Sequence, residues 1–338
     1  MKRNSQVFII AEAGVNHNGS LKKALNLINV ASTAGADAIK FQTFKAESLV
    51  THYAPKADYQ KTEVLKKETQ FQMLKKLEFT DKMHRACFKA CKKKKITFIS
   101  SAFDIENLNY LKKFNINYFK VPSGEITNIP YLEALGKFKK KIILSTGMSN
   151  INEIKMAIKT LVNNGTKKKN ITILQCTTAY PAPYKDINLN TIAYLKNQLK
   201  LNIGFSDHSL GVQASIAAAA LGAKVIEKHI TLNKKLKGPD HKASLDPHEL
   251  KYMVQSIRIV EKILGKKIKK ITNSEKKNIY IARKSIVAST KIKKNEKFSY
   301  LNITCKRPGT GISPIFFKKL LGKKATKNFN TDDLIKLK

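Results

Sequence analysis

With 338 residues, the chain is long enough for one large domain and a small second module, which excludes a peptide or a tail. It contains no run of eighteen apolar residues and no cleavage signature near its start, so we expect a cytoplasmic protein without a membrane segment. The formal net charge of +40 is carried mostly by lysine, whereas specific base and phosphate contacts favour arginine, so we expect no specific nucleic-acid partner.

Short apolar segments rich in β-branched residues alternate with amphipathic segments along most of the chain. The apolar runs are typical of buried parallel strands, and the segments between them carry helix-start signals and a 3.6-residue period. The predicted strands cover residues 7–14, 38–44, 96–103, 117–125, 141–148, 171–178, 202–209 and 224–232. Eight strand–helix units in succession predict an α/β fold, the (β/α)8 TIM barrel.

One connection is longer than a turn requires. Between the second and third predicted strands, from Lys45 to about Phe79, the sequence is polar and contains scattered aromatic residues. Connections of this length usually carry function. We therefore expect a functional role for this segment.

The pattern changes after a predicted helix at about 246–264. A Lys-rich connector follows, and then short strand-like pieces punctuated by glycine and proline. These pieces predict a small, separate β-rich module. We therefore predict three parts, a barrel at 1–265, a linker at 266–280 and a C-terminal module at 281–338.

Polar and charged side chains stand at or just beyond the end of every predicted strand. The carboxyl ends of the strands and the loops beyond them carry the catalytic residues of TIM barrels. One polar residue at a strand end is usually a solvated terminus, but a polar residue at all eight is harder to explain in this way. In chain order the candidates are Glu12, Lys40, Gln42, Ser101, Lys120, Ser123, Glu125, Ser145, Thr178, Tyr180, Ser206, His208, His229 and, in a later loop, Asp240.

The residue types in this set indicate an anion pocket and a metal site. Lys40 and Lys120 enter the same barrel mouth among serine and threonine hydroxyls, and such a pocket holds a phosphate and a carboxylate together. Phosphoenolpyruvate carries both groups. His208 and His229 lie at equivalent depths on adjacent strands, so their imidazoles can converge on one divalent ion, whereas a lone histidine would more often be structural.

Two acidic residues beside the histidines leave alternatives open. Asp207 and Glu227 would either orient the imidazoles toward a metal or form ion pairs with Lys40 or Lys120 inside the barrel. The sequence does not choose between the two roles.

Nine motifs in the expected order carry a resemblance to the N-acetylneuraminate (sialic acid) synthase family over essentially the whole chain. They read AEAGVNHNGS, KFQT, KVPSGEITN, ILSTGM, QCTTAYPAPY, GFSDHS, IEKHIT, GPDHKASL and KRPGTG. Within the family the chain is most similar to the N,N'-diacetyllegionaminate synthases, through QTFKAESLV, KADYQ, QFQMLKKLE, GPDHKASLDP and IARKSIVA. Thr178, where neuraminate synthases often have asparagine, and IARKSIVA in place of an aromatic segment both weaken the case for N-acetylmannosamine as substrate.

The resemblance implies a transferase that condenses phosphoenolpyruvate with an N-acylated amino-sugar and releases phosphate. The implied sugar is 2,4-diacetamido-2,4,6-trideoxymannose and the product a nonulosonic acid such as N,N'-diacetyllegionaminate. The rival activities are those of an N-acetylneuraminate synthase and a pseudaminate synthase, and the rival from another class is a basic nucleic-acid-binding protein. The resemblance also implies a domain-swapped homodimer, in which an antifreeze-like (SAF) C-terminal domain lies over the partner's barrel mouth and Arg307 reaches the neighbouring sugar.

The resemblance carries roles over to individual residues. Those implied to hold phosphoenolpyruvate are Lys40, Ser101, Lys120, Ser123, Ser145, Thr178 and Ser206. His208 and His229 would ligate Mn2+ or Mg2+. Those implied to face the sugar are Glu12, Gln42, Glu125, Tyr180, Asp240 and Arg307. In the mechanism that we expect, Glu12 or Glu125 is the general base, and Lys40 and Lys120 stabilise the leaving phosphate.

Overall fold

The structure is a computed structural model that describes residues 6–56 and 69–336. The chain divides into two compact units, Met1–Gly265 and Lys266–Lys338. The middle of the long connection, and with it most of the KADYQ motif, lies outside the described residues.

The first unit contains a closed barrel of parallel strands in sequence order, which confirms the predicted fold. The strands are β1 (Phe8–Gly14), β2 (Ala38–Thr43), β3 (Thr97–Ala102), β4 (Tyr118–Val121), β5 (Lys141–Ser145), β6 (Ile171–Cys176), β7 (Asn202–Asp207) and β8 (Val225–His229). The prediction that β4 continues to residue 125 was wrong. Pro122 has no N–H to donate to the ladder, and Ser123–Glu125 forms a single 3-10 turn instead.

Helices follow the strands of this barrel, and most of them begin where the sequence provides a side-chain cap. They are α1 (Leu21–Ala34), α2 (Ala46–Leu49), α3 (Gln70–Leu77), α4 (Asp81–Lys94), α5 (Ile105–Lys112), α6 (Ile129–Gly136), α7 (Ile151–Asn163), α8 (Thr191–Leu199), α9 (Gln213–Ala220) and α10 (Pro247–Ile263). Asn150 with Glu153 and Asp246 with Glu249 form reciprocal capping boxes at the starts of α7 and α10. Gly35 ends α1 in the left-handed conformation that favours glycine, with φ 84°.

Side-chain alternation divides each barrel strand between two cores. Outward-facing residues pack with the helices in the main core, and inward-facing residues fill the barrel with an apolar layer. That layer consists of Ile10, Ala38, Ile99, Ile143, Leu174 and Val225. Two residues further along the same strands stand Glu12, Lys40, Ser101, Ser145, Cys176 and Glu227. The inward-facing residues therefore change from apolar to polar within two positions of each strand, so the polar layer lies directly on an apolar layer, the floor of the cavity.

A buried ion pair lies on the outward-facing side of β7 and β8. Lys228 Nζ is 3.0 Å from Asp207 Oδ2, and neither side chain is exposed. Asp207 also accepts hydrogen bonds from the backbone N–H and hydroxyl of Ser209 and from the hydroxyl of Ser215. Asp207 therefore takes neither of the roles that the sequence left open, because its partners join the strand to the segment that follows it.

Removing the lysine of this pair is expected to destabilise the fold. In Lys228→Met the Asp207 carboxylate stays buried without its counter-charge, which costs about 3 to 5 kcal/mol of the free energy of unfolding. Urea denaturation measures this loss. Lys224→Met, at an exposed position just before β8, is the matched control and should change stability by less than about 0.5 kcal/mol. Equal stability of the two variants would contradict the prediction.

The second unit has its own small core. Its elements are α11 (Asn273–Ala282), β9 (Ser285–Ala288), β10 (Ile303–Lys306) and α12 (Phe317–Leu320). The two strands pair antiparallel, and Ile286, Phe298 and Phe329 lie in the core beside them. Part of the predicted linker at 266–280 is helical, because Thr272 and Glu275 form a capping box that starts α11. Across the described residues, none of the helices has both the length and the apolar character needed to cross a bilayer.

Candidate active site

A cavity of about 180 Å³ opens at the carboxyl ends of the barrel strands. Thirteen of the fifteen predicted site residues line it, because the strand ends of a closed barrel meet at one mouth. They are Glu12, Lys40, Gln42, Ser101, Lys120, Ser123, Ser145, Thr178, Tyr180, Ser206, His208, His229 and Asp240.

The remaining two predicted residues lie elsewhere. Glu125 is half-buried on the 3-10 turn after β4, where its Oε2 accepts a hydrogen bond from Asn128 Nδ2 at 2.6 Å. It is not among the residues that line the cavity in the described chain. Arg307 belongs to the second unit, so its predicted contact with a neighbouring subunit's sugar stays a prediction.

Lys40 stands in the polar layer with an acidic and a hydroxyl partner. Lys40 and Glu12 are register partners on β2 and β1, and Lys40 Nζ lies 2.9 Å from Glu12 Oε1. The same ammonium donates to Ser101 Oγ at 3.3 Å. Both charged side chains are at most 5% exposed. A cation is therefore fixed in the cavity with little competing water.

Lys120 provides a second cation next to the first. Its Nζ donates to Ser145 Oγ at 2.7 Å and lies 3.5 Å from Glu227 Oε1. Glu227 also lies 3.8 Å from Lys40 Nζ and accepts a hydrogen bond from Ser206 Oγ. Glu227 therefore has the ion-pairing role inside the barrel, one of the two alternatives open from the sequence. Two ammonium groups share this carboxylate, which keeps both cations in one place.

The two carboxyl groups of this cluster differ in acidity. Burial raises the pKa of Glu12 to about 7, although the neighbouring Lys40 opposes the shift. Burial also disfavours ionisation of Glu227, but Lys120 and Lys40 outweigh it, so the pKa of Glu227 is lowered. One oxygen of each carboxyl, Oε2, is buried and has no hydrogen-bond partner among the described residues. Enzymes that use two carboxyl groups for acid–base catalysis hold them at different pKa values, as Glu12 and Glu227 are held here.

Two imidazoles, those of His208 and His229, lie side by side at the mouth, with ring centroids 5.5 Å apart. His208 Nδ1 lies 2.8 Å from the carbonyl oxygen of Thr177, so a proton on Nδ1 is donated to that oxygen, and in the neutral ring Nε2 then keeps its lone pair. His229 Nδ1 is buried with no hydrogen-bond partner in the described chain. Burial lowers the pKa of His229 well below its ordinary value, and the positive charge that His208 can carry adds to this. His229 is therefore neutral, the form that binds metals.

Asp240 reaches the same cavity from the loop after β8. Its Oδ2 lies 3.8 Å from His229 Nδ1, and burial raises the pKa of Asp240 to about 6. Gly14, with φ +49°, follows a bulge in β1 and makes room for this approach. A Cβ at Gly14 would lie 3.3 Å from Glu12 Oε1 and 3.6 Å from both Asp240 Oδ2 and Gln42 Nε2.

The donor set fits a metal that is only partly held by protein. Within residues 6–56 and 69–336, no group of three or more His, Cys, Asp or Glu side chains is arranged to hold an ion. His208 and His229 do offer two ring nitrogens, one of them buried without a partner. Such a pair suits a divalent ion whose other ligands are water or substrate.

Sequence reasoning missed the apolar side of the cavity. Met73, Leu74 and Leu77 of α3 line it together with Val15 and Phe103. The available signal was the helical spacing of the three α3 residues inside the long connection after β2, for which we expected an unspecified function. Their position over the mouth depends on how the connection folds back, which the spacing does not encode.

A comparison with known families decides the classification of the chain. The sequence model of the NeuB family matches residues 27–269. The chain belongs to the NeuB family. The match confirms the resemblance drawn from the nine motifs, and a SAF domain model matches residues 283–338 after it.

Relatives in the NeuB family align with nearly the whole chain. An N,N'-diacetyllegionaminic acid synthase of Campylobacter jejuni is 51% identical over 331 residues, which is 98% of this chain and 99% of that protein. A pseudaminic acid synthase of Campylobacter jejuni is 37% identical and covers 98% of this chain and 96% of that protein. The solved N-acetylneuraminic acid (sialic acid) synthetase of Leptospira borgpetersenii, in complex with citrate, is 34% identical with a TM-score of 0.72, over 82% of this chain and 91% of that one.

Proposed function

We propose that the protein condenses phosphoenolpyruvate with the open-chain form of 2,4-diacetamido-2,4,6-trideoxymannose, giving N,N'-diacetyllegionaminate and phosphate. The observation that carries the proposal is the pair of buried lysines, Lys40 and Lys120, ringed by hydroxyls in one cavity with two histidines. The choice of sugar rests on the similarity to the Campylobacter legionaminic acid synthase.

The polar layer suits the two anionic groups of phosphoenolpyruvate. Lys40 and Lys120 supply two cations, and several hydroxyls in the same lining supply neutral donors. We assign phosphoenolpyruvate to Lys40, Ser101, Lys120, Ser123, Ser145, Thr178 and Ser206. The amino-sugar then occupies the rest of the cavity, beside Glu12, Gln42, Tyr180 and Asp240.

The histidine pair is proposed to hold Mn2+ or Mg2+. When bound by His208 and His229, a divalent cation supplies Lewis-acid polarisation of the sugar's aldehyde oxygen. Asp240 Oδ2 lies 3.8 Å from His229 Nδ1, which is too far for a hydrogen bond, so Nδ1 stays available to the ion.

The proposed reaction forms one carbon–carbon bond and breaks one carbon–oxygen bond. C3 of phosphoenolpyruvate bonds to the aldehyde carbon, and positive charge develops at C2. Water then adds to C2, and the bond from C2 to the phosphate oxygen breaks, leaving the keto group. The water's two protons end on the new hydroxyl oxygen and on the released phosphate.

We propose Glu12 as the base that takes a proton from the attacking water. It lines the cavity, its Oε2 has no hydrogen-bond partner in the described chain, and its pKa of about 7 suits proton transfer near neutral pH. Glu125, the other candidate base from the sequence, is not among the described residues that line the cavity. Lys40 and Lys120 stabilise the charge on the leaving phosphate.

A comparison of three sugars tests the proposed substrate. Phosphate release is measured with 2,4-diacetamido-2,4,6-trideoxymannose, its altrose isomer and N-acetylmannosamine, each with phosphoenolpyruvate. We expect kcat/KM to be highest for the first. A preference for the altrose isomer would make the protein a pseudaminate synthase, and a preference for N-acetylmannosamine a neuraminate synthase.

We further propose a domain-swapped homodimer in which Arg307 of each chain reaches the sugar in its partner's barrel. Arg307→Ala is then expected to raise KM for the sugar about 10- to 100-fold, because a hydrogen bond to a charged group is worth about 1.5 to 3 kcal/mol. KM for phosphoenolpyruvate should change less than about twofold, since the swapped contact touches only the sugar. Steady-state kinetics with each substrate varied in turn measure both constants.

A matched arginine variant and the assembly state complete this test. Arg85→Ala, at an exposed position on α4, should leave both KM values unchanged. Sedimentation should give a dimer for both variants. Equal loss of affinity for both substrates in Arg307→Ala would count against the swapped arrangement.

The cytoplasmic location inferred from the sequence stays a prediction.

A further inference from the structure

The outer side of the cavity is an apolar wall made by α3. Met73, Leu74 and Leu77 line the cavity at 5, 9 and 8% exposure, with Phe103 and Val15 beside them. The three side chains follow the helical spacing i, i+1, i+4, so they share one face of the helix. The polar layer of the strands therefore faces a wall of aliphatic carbon and sulfur.

Ion pairs fix this helix against the chain that leaves β2. Glu78, directly after α3, accepts from Lys45 Nζ at 2.8 Å and from the backbone N–H of Ala46 at 3.1 Å. Lys75 Nζ lies 2.6 Å from Glu47 Oε1 of α2. Thr69 starts α3 with a reciprocal capping box. These contacts hold the C-terminal half of α3 against the chain that leaves β2, and the capping box fixes where the helix begins.

The geometry of the reaction decides which part of the sugar meets the wall. The sugar's aldehyde carbon must contact phosphoenolpyruvate, whose anionic groups are held by Lys40 and Lys120 one layer above the barrel floor. The carbons furthest from the aldehyde then lie beyond the polar layer, where the segments that follow the strands, α3 among them, line the cavity. A hydroxyl placed against leucine and methionine would lose its hydrogen bonds with water and gain none.

We propose that the α3 wall binds the C6 methyl group of the sugar and selects 6-deoxy sugars over those with a hydroxyl at C6. This inference rests on the proposed function, because it needs a substrate whose chain ends in a methyl group. Met73, Leu74 and Leu77 are its specificity-determining residues. An apolar pocket typically disfavours a substrate with an added hydroxyl by about 100-fold in kcat/KM, so we expect a preference of this size for the 6-deoxy sugar.

The test compares two sugars that differ at one atom. Wild-type protein and variants receive 2,4-diacetamido-2,4,6-trideoxymannose or its 6-hydroxy counterpart, 2,4-diacetamido-2,4-dideoxymannose. The wild type is expected to favour the 6-deoxy sugar by about 100-fold in kcat/KM. Leu74→Asn and Met73→Gln place amides on the wall with a similar side-chain shape, and each should reduce this ratio about tenfold or more. KM for phosphoenolpyruvate should stay within about twofold.

Leu49→Asn is the matched control. Leu49 packs in the same apolar cluster on α2 but is not among the described residues that line the cavity. It should therefore keep the wild-type ratio while losing a similar amount of stability. A folded Leu74→Asn or Met73→Gln protein that also keeps the wild-type ratio would overturn the wall proposal. A wild type that turns over neither sugar would overturn the proposed function, and the wall proposal with it.

Discussion

Replacing His229 by alanine is expected to lower kcat by about 10³-fold or more while leaving the fold intact. Lewis-acid stabilisation is worth several kcal/mol, and each 1.36 kcal/mol is a factor of ten in rate. His229 lies at the end of β8 beside His208, and its Nδ1 has no hydrogen-bond partner among the described residues. Its loss removes one of two proposed protein ligands and breaks no described hydrogen bond of that nitrogen. Phosphate release and metal content after dialysis measure the two effects.

A histidine outside the cavity provides the control for this variant. His248 is exposed near the start of α10, and His248→Ala should keep wild-type activity and metal content. Circular dichroism and thermal unfolding should match for all three proteins within a few degrees. Full activity of His229→Ala in the presence of a chelator would contradict the proposed metal site.

Replacing Glu12 by glutamine is expected to lower kcat/KM by about 10²- to 10⁴-fold, the usual contribution of a general base. Glutamine keeps the shape of the side chain but cannot take a proton. Glu12 is 2% exposed and lies 2.9 Å from Lys40 Nζ. The variant therefore separates proton transfer from the space that the side chain fills.

The raised pKa of Glu12 sets the direction in which kcat/KM changes with pH. A base acts only when ionised, and burial raises the pKa of Glu12 to about 7. The ionised fraction of such a group falls about tenfold for each pH unit below 7. Wild-type kcat/KM should therefore fall with decreasing pH below about 7 and level off above it, and Glu12→Gln should lack this limb.

Two controls isolate the Glu12 contribution. Phosphate monoesters titrate near pH 6, but this titration of the substrate is the same for both proteins, so the ratio of their profiles removes it. Glu106→Gln, at an exposed position on α5, should retain both the rate and the limb. If Glu12→Gln kept the wild-type profile, the base would be another group.

The sequence by itself determined the barrel and the composition of its mouth. Apolar residues such as Ile10 and Ala38 are followed two positions later by Glu12 and Lys40, and alternation along a strand places both members of each pair on the same side. Since parallel strands in a barrel end at one face, polar residues at eight strand ends had to meet there. These are local rules of period and order, which a sequence carries directly.

The tertiary structure alone decided how those groups pair and what faces them. Glu227 and Asp207 are both acidic and both lie within two residues of a histidine, yet Glu227 pairs with the cavity lysines and Asp207 pairs with Lys228 behind the strands. Successive residues of a strand alternate between inward and outward positions, and the predicted strand ends differed from the observed ones by up to four residues, so the sequence left this choice open. The α3 wall depends on contacts between segments far apart in the chain, such as Lys45 with Glu78, and no local period encodes such contacts.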